Sequence, residues 1–358
     1  MATAAIPSEM DALVLTGPGA FEGRRVPVPE PGPMEVLCRV HSIAIDTGTD
    51  SALIAGAFRE AWGWPPYYPI TIGHEWAGEI VALGEGVFDF KPGDRISAAS
   101  HKGCGWCRNC YLGRYTLCLN YGREDRGHKQ YGHSSPGAYS EYFAISVKSI
   151  YPIPDSLSYD EASLVDPAAI ALHSAKRAKV GPGDTVAVFG PGGIGLLSLQ
   201  CAAAMGAGRV IVIGRGDRLK KAAEFGAETI DFEAEDPVKK ILDVTDGIGV
   251  DAVIETAGTV QTCQQAIAVT RKGGRICYTG VTKGDIPLPL GKITLNELDV
   301  YGLRANPNTC PEVIPLIVSG RIQIKPLITH TFPLSEFAKG LETAVKRIDG
   351  AIRVIIHP

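Results

Sequence analysis

The chain of 358 residues has no surplus of either charge: 35 lysines and arginines oppose 39 aspartates and glutamates, a formal net charge of −4. It also lacks a basic cluster of the kind that tracks a phosphate backbone, so nucleic acid is not an expected partner. Repeats with periods of about 20 to 50 residues are missing, as are low-complexity tracts, which excludes repeat architectures. No basic segment precedes the first apolar residues in MATAAIPSEMDALVL, and Glu9 and Asp11 fall where a signal peptide stays uncharged. Secretion is therefore not expected. One charge-free stretch, Thr185 to Gly208, is long enough to span a bilayer, but FGPGGIG interrupts it after the β-type run TVAVF. A membrane partner is not expected either. Nine cysteines are present without the pattern of a disulfide framework. Four fall within 104–118, where the spacing suits a metal, and Cys38, Cys201, Cys263, Cys277 and Cys310 sit among apolar neighbours as small hydrophobes. A reducing, cytoplasmic setting is the expectation.

What is present divides into two kinds of text, and the length leaves room for about two domains. From Asp11 to about Ile150, short β-type runs (ALVLTG, EVLCRVHSIAI, AGEIVAL, RISAA, AYSEYFAI) alternate with Gly and Pro punctuation, which predicts an antiparallel, barrel-like domain. From about Tyr159, helix and strand alternate: YDEASLVDPAAIALHSAKRA as one helix, then TVAVFG, GLLSLQCAAAMGA, VIVIG, DRLKKAAEFGA, DAVIETA and RICYTG. That alternation predicts a parallel sheet covered by helices. After about Leu303 come a helix (PEVIPLIVSG), a strand (ITHTFPL), a helix (SEFAKGLETAVKRI) and a last strand, AIRVIIHP, which can rejoin the first domain.

TVAVF runs into Gly190-Pro191-Gly192-Gly193-Ile194-Gly195 and an apolar helix, a GxGxxG in the strand, turn, helix context that it requires. Gly190 permits the turn, Gly192 lets the backbone approach a pyrophosphate, and Gly195 allows the helix to pack on the strand. Amides at the helix start, from Gly193 and Ile194 onward, would bind the phosphates. In an NAD site the next strand ends in an acid that grips the ribose. Here it ends Gly214-Arg215-Gly216-Asp217-Arg218, with no carboxylate at the tip. Arg215 and Arg218 suit a 2′-phosphate, which favours NADP(H) over NAD(H). Asp217 reaching the ribose and Arg218 merely capping a helix stay open as alternatives.

Cys104, Cys107, Cys110 and Cys118 read CxxCxxCx7C, and four thiolates so close in sequence can converge tetrahedrally on one zinc ion. An iron–sulfur cluster takes four thiolates too, but nothing else here points to electron transfer. Four protein ligands leave no open position, so this zinc would be structural.

Gly73-His74-Glu75 opens GHEWAGEIVALGEGV, and this run, the four cysteines and the later glycine turn follow in a fixed order. Together they resemble the medium-chain, zinc-containing alcohol and polyol dehydrogenases, over nearly the whole chain from MDALVL to IRVII. The resemblance implies an α/β plus β fold: a GroES-like, partly open β-barrel catalytic domain (1–158 and 304–358, zinc lobe at 104–118) with an inserted Rossmann doubly wound parallel sheet (159–303). It implies that His74 is a ligand of a catalytic zinc and Glu75 an exchangeable or supporting ligand. Asp166, at the acid of the polyol-type ExPLAxALHA segment, is the counterpart of a further ligand; the alternative is an ordinary helix-start acid before Pro167. The cysteine ligand of such enzymes has Thr47 in its place, within Asp46-Thr47-Gly48-Thr49-Asp50, and a neutral hydroxyl is a poor zinc ligand. Three outcomes stay open: Asp46 supplies a carboxylate, Glu75 takes the vacant place, or the zinc is weakly held or absent. Thr49 matches the hydroxyl that passes the substrate proton onward, and Asp50 the acid that orients the ligand histidine.

The implied activity is NAD(P)-dependent interconversion of a secondary alcohol or polyol, such as a sugar alcohol or cyclitol, and its ketone. The implied partner is that small molecule, and the implied assembly a homodimer or homotetramer. Two rivals remain: a zinc-independent reductase of an activated carbonyl or double bond on the same fold, and a non-catalytic NADPH-binding sensor or structural protein. Trp62, Trp64, Tyr67 and Tyr68, before GHE, can line a pocket mouth or simply pack a loop. His128 and His133 read as part of a solvated loop.

Overall fold

The computed structural model describes residues 5–57, 67–282 and 284–358. Up to Asp166 the chain forms strands β1 (Glu9–Gly17), β2 (Ala20–Pro27), β3 (Glu35–Ala44), β4 (Glu75–Leu83), β5 (Arg95–Ala98), β6 (His101–Lys102), β7 (Lys129–Gln130), β8 (Tyr142–Ser146) and β9 (Ile150–Pro152). Between Pro167 and Gln323 follow β10 (Thr185–Phe189), β11 (Arg209–Gly214), β12 (Glu228–Asp231), β13 (Val250–Glu255), β14 (Thr270–Tyr278) and β15 (Asp299–Gly302). Strands β16 (Ile328–Pro333) and β17 (Arg353–His357) then return to the first unit.

The first unit, Met1–Asp166 with Ile324–Pro358, is built on a seven-stranded sheet in the order β16-β17-β3-β4-β5-β9, with β8 also paired to β3. Register is antiparallel throughout except for β16 and β17, which run parallel because the Phe337–Lys346 helix crosses between them. The antiparallel expectation, which covered Asp11 to about Ile150, holds for the strands of that range. The terminal strand does rejoin the first unit, Ile355 and Ile356 pairing with Ala44 and Ile43. Period-2 apolar positions on β3 and β4 (Val36, Cys38, Val40; Trp76, Ile80) bury one face in a core shared with Ile43, Ile96, Phe143 and Phe337.

The second unit, Pro167–Gln323, holds six parallel strands in the order β12-β11-β10-β13-β14-β15. Its central strands are nearly continuous apolar runs, as a sheet covered on both faces requires. β10 and the Gly193–Ala204 helix account for the charge-free stretch; among the described residues no helix is long and apolar enough to cross a membrane.

Two boundaries differ from the sequence expectation. The division falls after Asp166 and after Gln323, not at 158 and 303. The Tyr159–Ser163 helix belongs with the first sheet, where Ser42 donates to Asp160. The Cys310–Val318 helix belongs with the second, where Thr309 donates to the Ala169 carbonyl at 2.9 Å and Lys176 pairs with Glu312 at 2.5 Å. The long helix expected from Tyr159 is two helices, Tyr159–Ser163 and Val165–Arg177, separated at Leu164. Pro167 is tolerated in the second because a first-turn residue needs no helical amide bond.

Candidate active site

After β3, Asp46 closes a tight turn. One carboxylate oxygen accepts from the amides of Gly48 (2.9 Å) and Thr49 (3.2 Å), while its own amide donates to Asp50 at 3.1 Å. The helix Thr49–Ile54 starts there, as an acid satisfying first-turn amides dictates. The other Asp46 oxygen is thereby turned toward His74, 3.6 Å from Nε2. His74 precedes β4 and is buried, its Nδ1 3.8 Å from the buried Asp50 carboxylate. Neither Nδ1 nor the facing Asp50 oxygen has a hydrogen bond, although Asp50 accepts from the Tyr139 hydroxyl at 2.7 Å. Glu75, also buried, receives Arg353 of β17 at 3.0 Å.

Ligand atoms of Asp46, His74 and Glu75 all lie within 4.8 Å of one another. Burial alone would lower the His74 imidazole, but Asp46, Asp50 and Glu75 together push it up to about 10. Burial raises Asp50 to about 6 against the pull of His74, and raises Glu75 to about 8 against that of Arg353, with Asp46 and Asp166 adding repulsion. Acids so crowded out of water favour a cation among them, and a metal ion competes for the same electron pairs as the proton. The donors are oxygen and nitrogen throughout. The residues present therefore fit a divalent metal without a thiolate.

Of the three open outcomes, the geometry brings both Asp46 and Glu75 to His74. Asp166 lies outside that triplet, buried in the first turn of the Val165–Arg177 helix, near enough for its charge to act on Glu75. Thr47 sits half-buried in the turn, and Thr49, whose amide donates to Asp46, helps hold that carboxyl below its ordinary range.

The four lobe cysteines also gather within 4.8 Å, with sulfur pairs 104/110 and 107/118 each at 3.9 Å. Amides of Cys104, Leu119 and Asn120 and the Asn120 side chain point at the sulfurs from 3.3 to 3.5 Å. Such donors stabilise thiolate, the form that binds metal.

In the second unit the glycine turn has the form that a dinucleotide needs. Gly190 has φ +96°, and a Cβ on Gly195 would stand 1.8 Å from the Gly190 carbonyl, so only glycine lets the helix begin so close. Gly192 is the extended residue before the helix, with open space where its Cβ would be. The Thr256 hydroxyl donates to the carbonyls of Phe189 (2.8 Å) and Gly190 (2.9 Å), pinning the turn. First-turn amides of a twelve-residue helix then face an open cradle, and an anion fits there.

Residues 32–155 match the model of the alcohol dehydrogenase GroES-like domain, and 193–319 that of the zinc-binding dehydrogenases. Sorbitol dehydrogenase of Bacillus subtilis (strain 168) is 34% identical over 99% of both chains. The chain belongs to the zinc-containing medium-chain alcohol and polyol dehydrogenases. A structure from Sinorhizobium meliloti 1021, described as a zinc-binding dehydrogenase bound to NADP, superposes with TM-score 0.90 at 32% identity, covering 98% of this chain and 100% of that one. An alcohol dehydrogenase from Escherichia coli CFT073 in complex with NADH gives 0.89 at 28% identity, covering 98% and 100%. The fold is that of this family: a GroES-like domain with a Rossmann parallel sheet.

Within this family member, several site residues escaped the sequence reading. Arg353 had a signal: an arginine inside the apolar strand IRVII calls for a buried counter-charge. Tyr139 and Thr256 had none, because their partners are 89 and 66 residues away. The solvated-loop reading of His128 and His133 is overturned. His128 is buried and accepts from the Gly122 amide at 3.1 Å. His133 lies with its ring 4.5 Å from that of His74 and Nδ1 3.1 Å from the Tyr131 carbonyl. The reason is Gly132, where a Cβ would stand 2.4 Å from the Gly73 carbonyl, so the loop lies directly on the segment that carries His74 into β4. Tyr67 is exposed and Tyr68 packs on the first core, whereas Trp62 and Trp64 lie outside the described residues. Of the acids near the β11 tip, Asp217 pairs with Lys220 at 2.9 Å and Glu233 holds Arg215. Arg218 is half-buried in the first turn of the Gly216–Glu224 helix.

Proposed function

We propose that this protein is an NAD(P)-dependent dehydrogenase that interconverts a secondary alcohol or polyol and its ketone with the help of a metal ion. The observation that carries the reading is the group formed by half-buried Asp46 with buried His74 and Glu75, whose donors converge while Asp50 stands behind His74. The relatives named for sorbitol support a polyol as substrate. His74, Asp46 and Glu75 hold the metal, and Asp166 adds negative charge beside them. Asp50, itself fixed by Tyr139, orients the imidazole; Arg353 fixes Glu75. The hydroxyl of Thr49, whose amide donates to Asp46, passes the substrate proton toward solvent. A metal held there would supply Lewis acidity at the substrate oxygen, and a dinucleotide in the second unit would supply the hydride acceptor or donor. Gly190, Gly192, Gly193, Ile194 and Gly195 would hold the dinucleotide's pyrophosphate, and Gly214, Arg215 and Arg218 its adenosine ribose.

The four-cysteine lobe holds a structural zinc, since four thiolates leave no position for substrate. The unit formed by residues up to 166 and from 324 onward is catalytic, and the 167–323 unit binds the dinucleotide. The assembly is a homodimer or homotetramer working in the cytoplasm. Asp46 favours metal-assisted chemistry over the metal-free reductase, because its free oxygen already faces Nε2 of His74. A panel of polyols, monoalcohols and activated alkenes, assayed with and without a chelator, tests this. Chelator-sensitive polyol oxidation is expected; chelator-resistant reduction of alkenes would replace the reading, and no turnover at all would favour a non-catalytic NADPH binder.

A further inference from the structure

Strand β11 ends at Gly214, 19 positions after Gly195, where an NAD site places its ribose-binding carboxylate. The structure gives a reason for the glycine. A Cβ at Gly214 would stand 2.2 Å from Cγ and 2.3 Å from Cδ of Pro191, the second residue of the glycine turn. Carbon atoms do not approach so closely, and the proline ring, closed on its own backbone, cannot swing aside. While Pro191 is present, no side chain can occupy position 214.

The neighbouring acids do not stand in for it. Asp231, paired in register with Gly214, turns a carboxylate oxygen to the Glu233 amide at 2.9 Å. Asp217 faces Lys220, and Glu233 faces Arg215. Arg215 is the residue immediately beyond the tip, extended, at the start of the Gly216–Glu224 helix. Its guanidinium and the Glu233 carboxylate are both more than half exposed, so their pair contributes little and opens readily. A phosphate dianion is a stronger, bidentate partner for that guanidinium than a carboxylate.

We propose that Pro191 and Gly214 form a steric lock that bars the ribose-binding carboxylate and commits this site to the 2′-phosphorylated cofactor NADP(H), with Arg215 as its phosphate partner. The inference rests on the dehydrogenase reading only in taking a nicotinamide dinucleotide as the ligand. Binding to the full chain without substrate tests it, so failure of turnover and failure of the lock are separate results.

The experiment titrates NADPH and NADH by fluorescence against wild type, Gly214→Asp, Pro191→Ala/Gly214→Asp and Arg215→Ala, with thermal melts as a check on folding. Wild type binds NADPH at least about tenfold tighter than NADH, the difference that one charge-assisted contact supplies. Gly214→Asp alone gains nothing for NADH; adding Pro191→Ala makes room for the acid, tightening NADH about tenfold over the single variant and weakening NADPH. Arg215→Ala, which removes a half-exposed side chain lying over the Phe232 ring, weakens NADPH about tenfold and spares NADH. Equal wild-type affinities, an NADH gain from Gly214→Asp alone, or equal losses in Arg215→Ala would each overturn the proposal. Should the Gly214 variants fail to fold, the wild-type and Arg215→Ala titrations decide the cofactor. Pro191→Ala/Gly214→Ala against Gly214→Ala then decides the lock: recovery of folding upholds it and no recovery overturns it.

Discussion

At the scale of single residues, the site is defined by what replaces a missing thiolate. Thr47 offers no anionic donor, while Asp46 divides its carboxylate between the turn amides and His74. His74→Ala removes the nitrogen donor and costs several kcal/mol of transition-state stabilisation, about a thousandfold or more in turnover, while the fold persists by circular dichroism. An active variant would contradict the metal mechanism. Asp50→Asn, which keeps the packing and loses the charge behind the imidazole, is expected to weaken metal affinity about 10- to 100-fold, read by competition with a chromogenic chelator. Glu75→Ala leaves Arg353 buried without its counter-charge and should cost about 3–5 kcal/mol in urea unfolding, partly recovered by adding Arg353→Met. The acids and His74 were legible from sequence because they sit in ordered motifs, Asp46 to Asp50, GHE and the Asp166 segment, that the family resemblance picks out. Tyr139, Arg353 and His133 reach the site through tertiary approach alone, and a loop histidine looks solvated until Gly132 is seen to seat it.

Among elements, strong period-2 and alternating helix–strand text specified both sheets, the glycine turn and the return of the last strand. What the text did not carry was where helices stop: the Tyr159–Ser163 and Val165–Arg177 helices share continuous helix-forming sequence, and their separation at Leu164 reflects packing on different sheets. The final strand β17 is fastened to the first of these helices, His357 Nε2 standing 2.7 Å from Asp160, which also accepts from Ser42. Asp160 raises the His357 imidazole above its ordinary 6.5, and His357 in turn lowers Asp160 below 3.8. The histidine contribution is complete below 6.5 and fades as pH rises through the raised value. The aspartate contribution is complete above 3.8 and fades as pH falls through the lowered one. His357→Gln should therefore destabilise most between those pH values, by no more than about 1 kcal/mol given the exposure of both groups, and negligibly at pH 9. A loss as large at pH 9 would show that the contact is not ionic.

At the scale of the whole molecule, family membership and fold were legible because the ordered combination of GHE, four cysteines and a glycine turn is far more specific than any one of them. The same chain gathers two dissimilar groups of metal-ligating side chains, one of four sulfurs and one of oxygen and nitrogen. Thiolates hold zinc tightly, whereas a carboxylate and imidazole set exchanges it more easily. Zinc per chain, measured on protein purified without added metal and again after brief exposure to a chelator at neutral pH, tests the central claim most directly. The account predicts about two ions before and about one after, with polyol turnover lost and regained in step with the second ion. About one ion at the outset, with full activity and no response to added zinc, would contradict it.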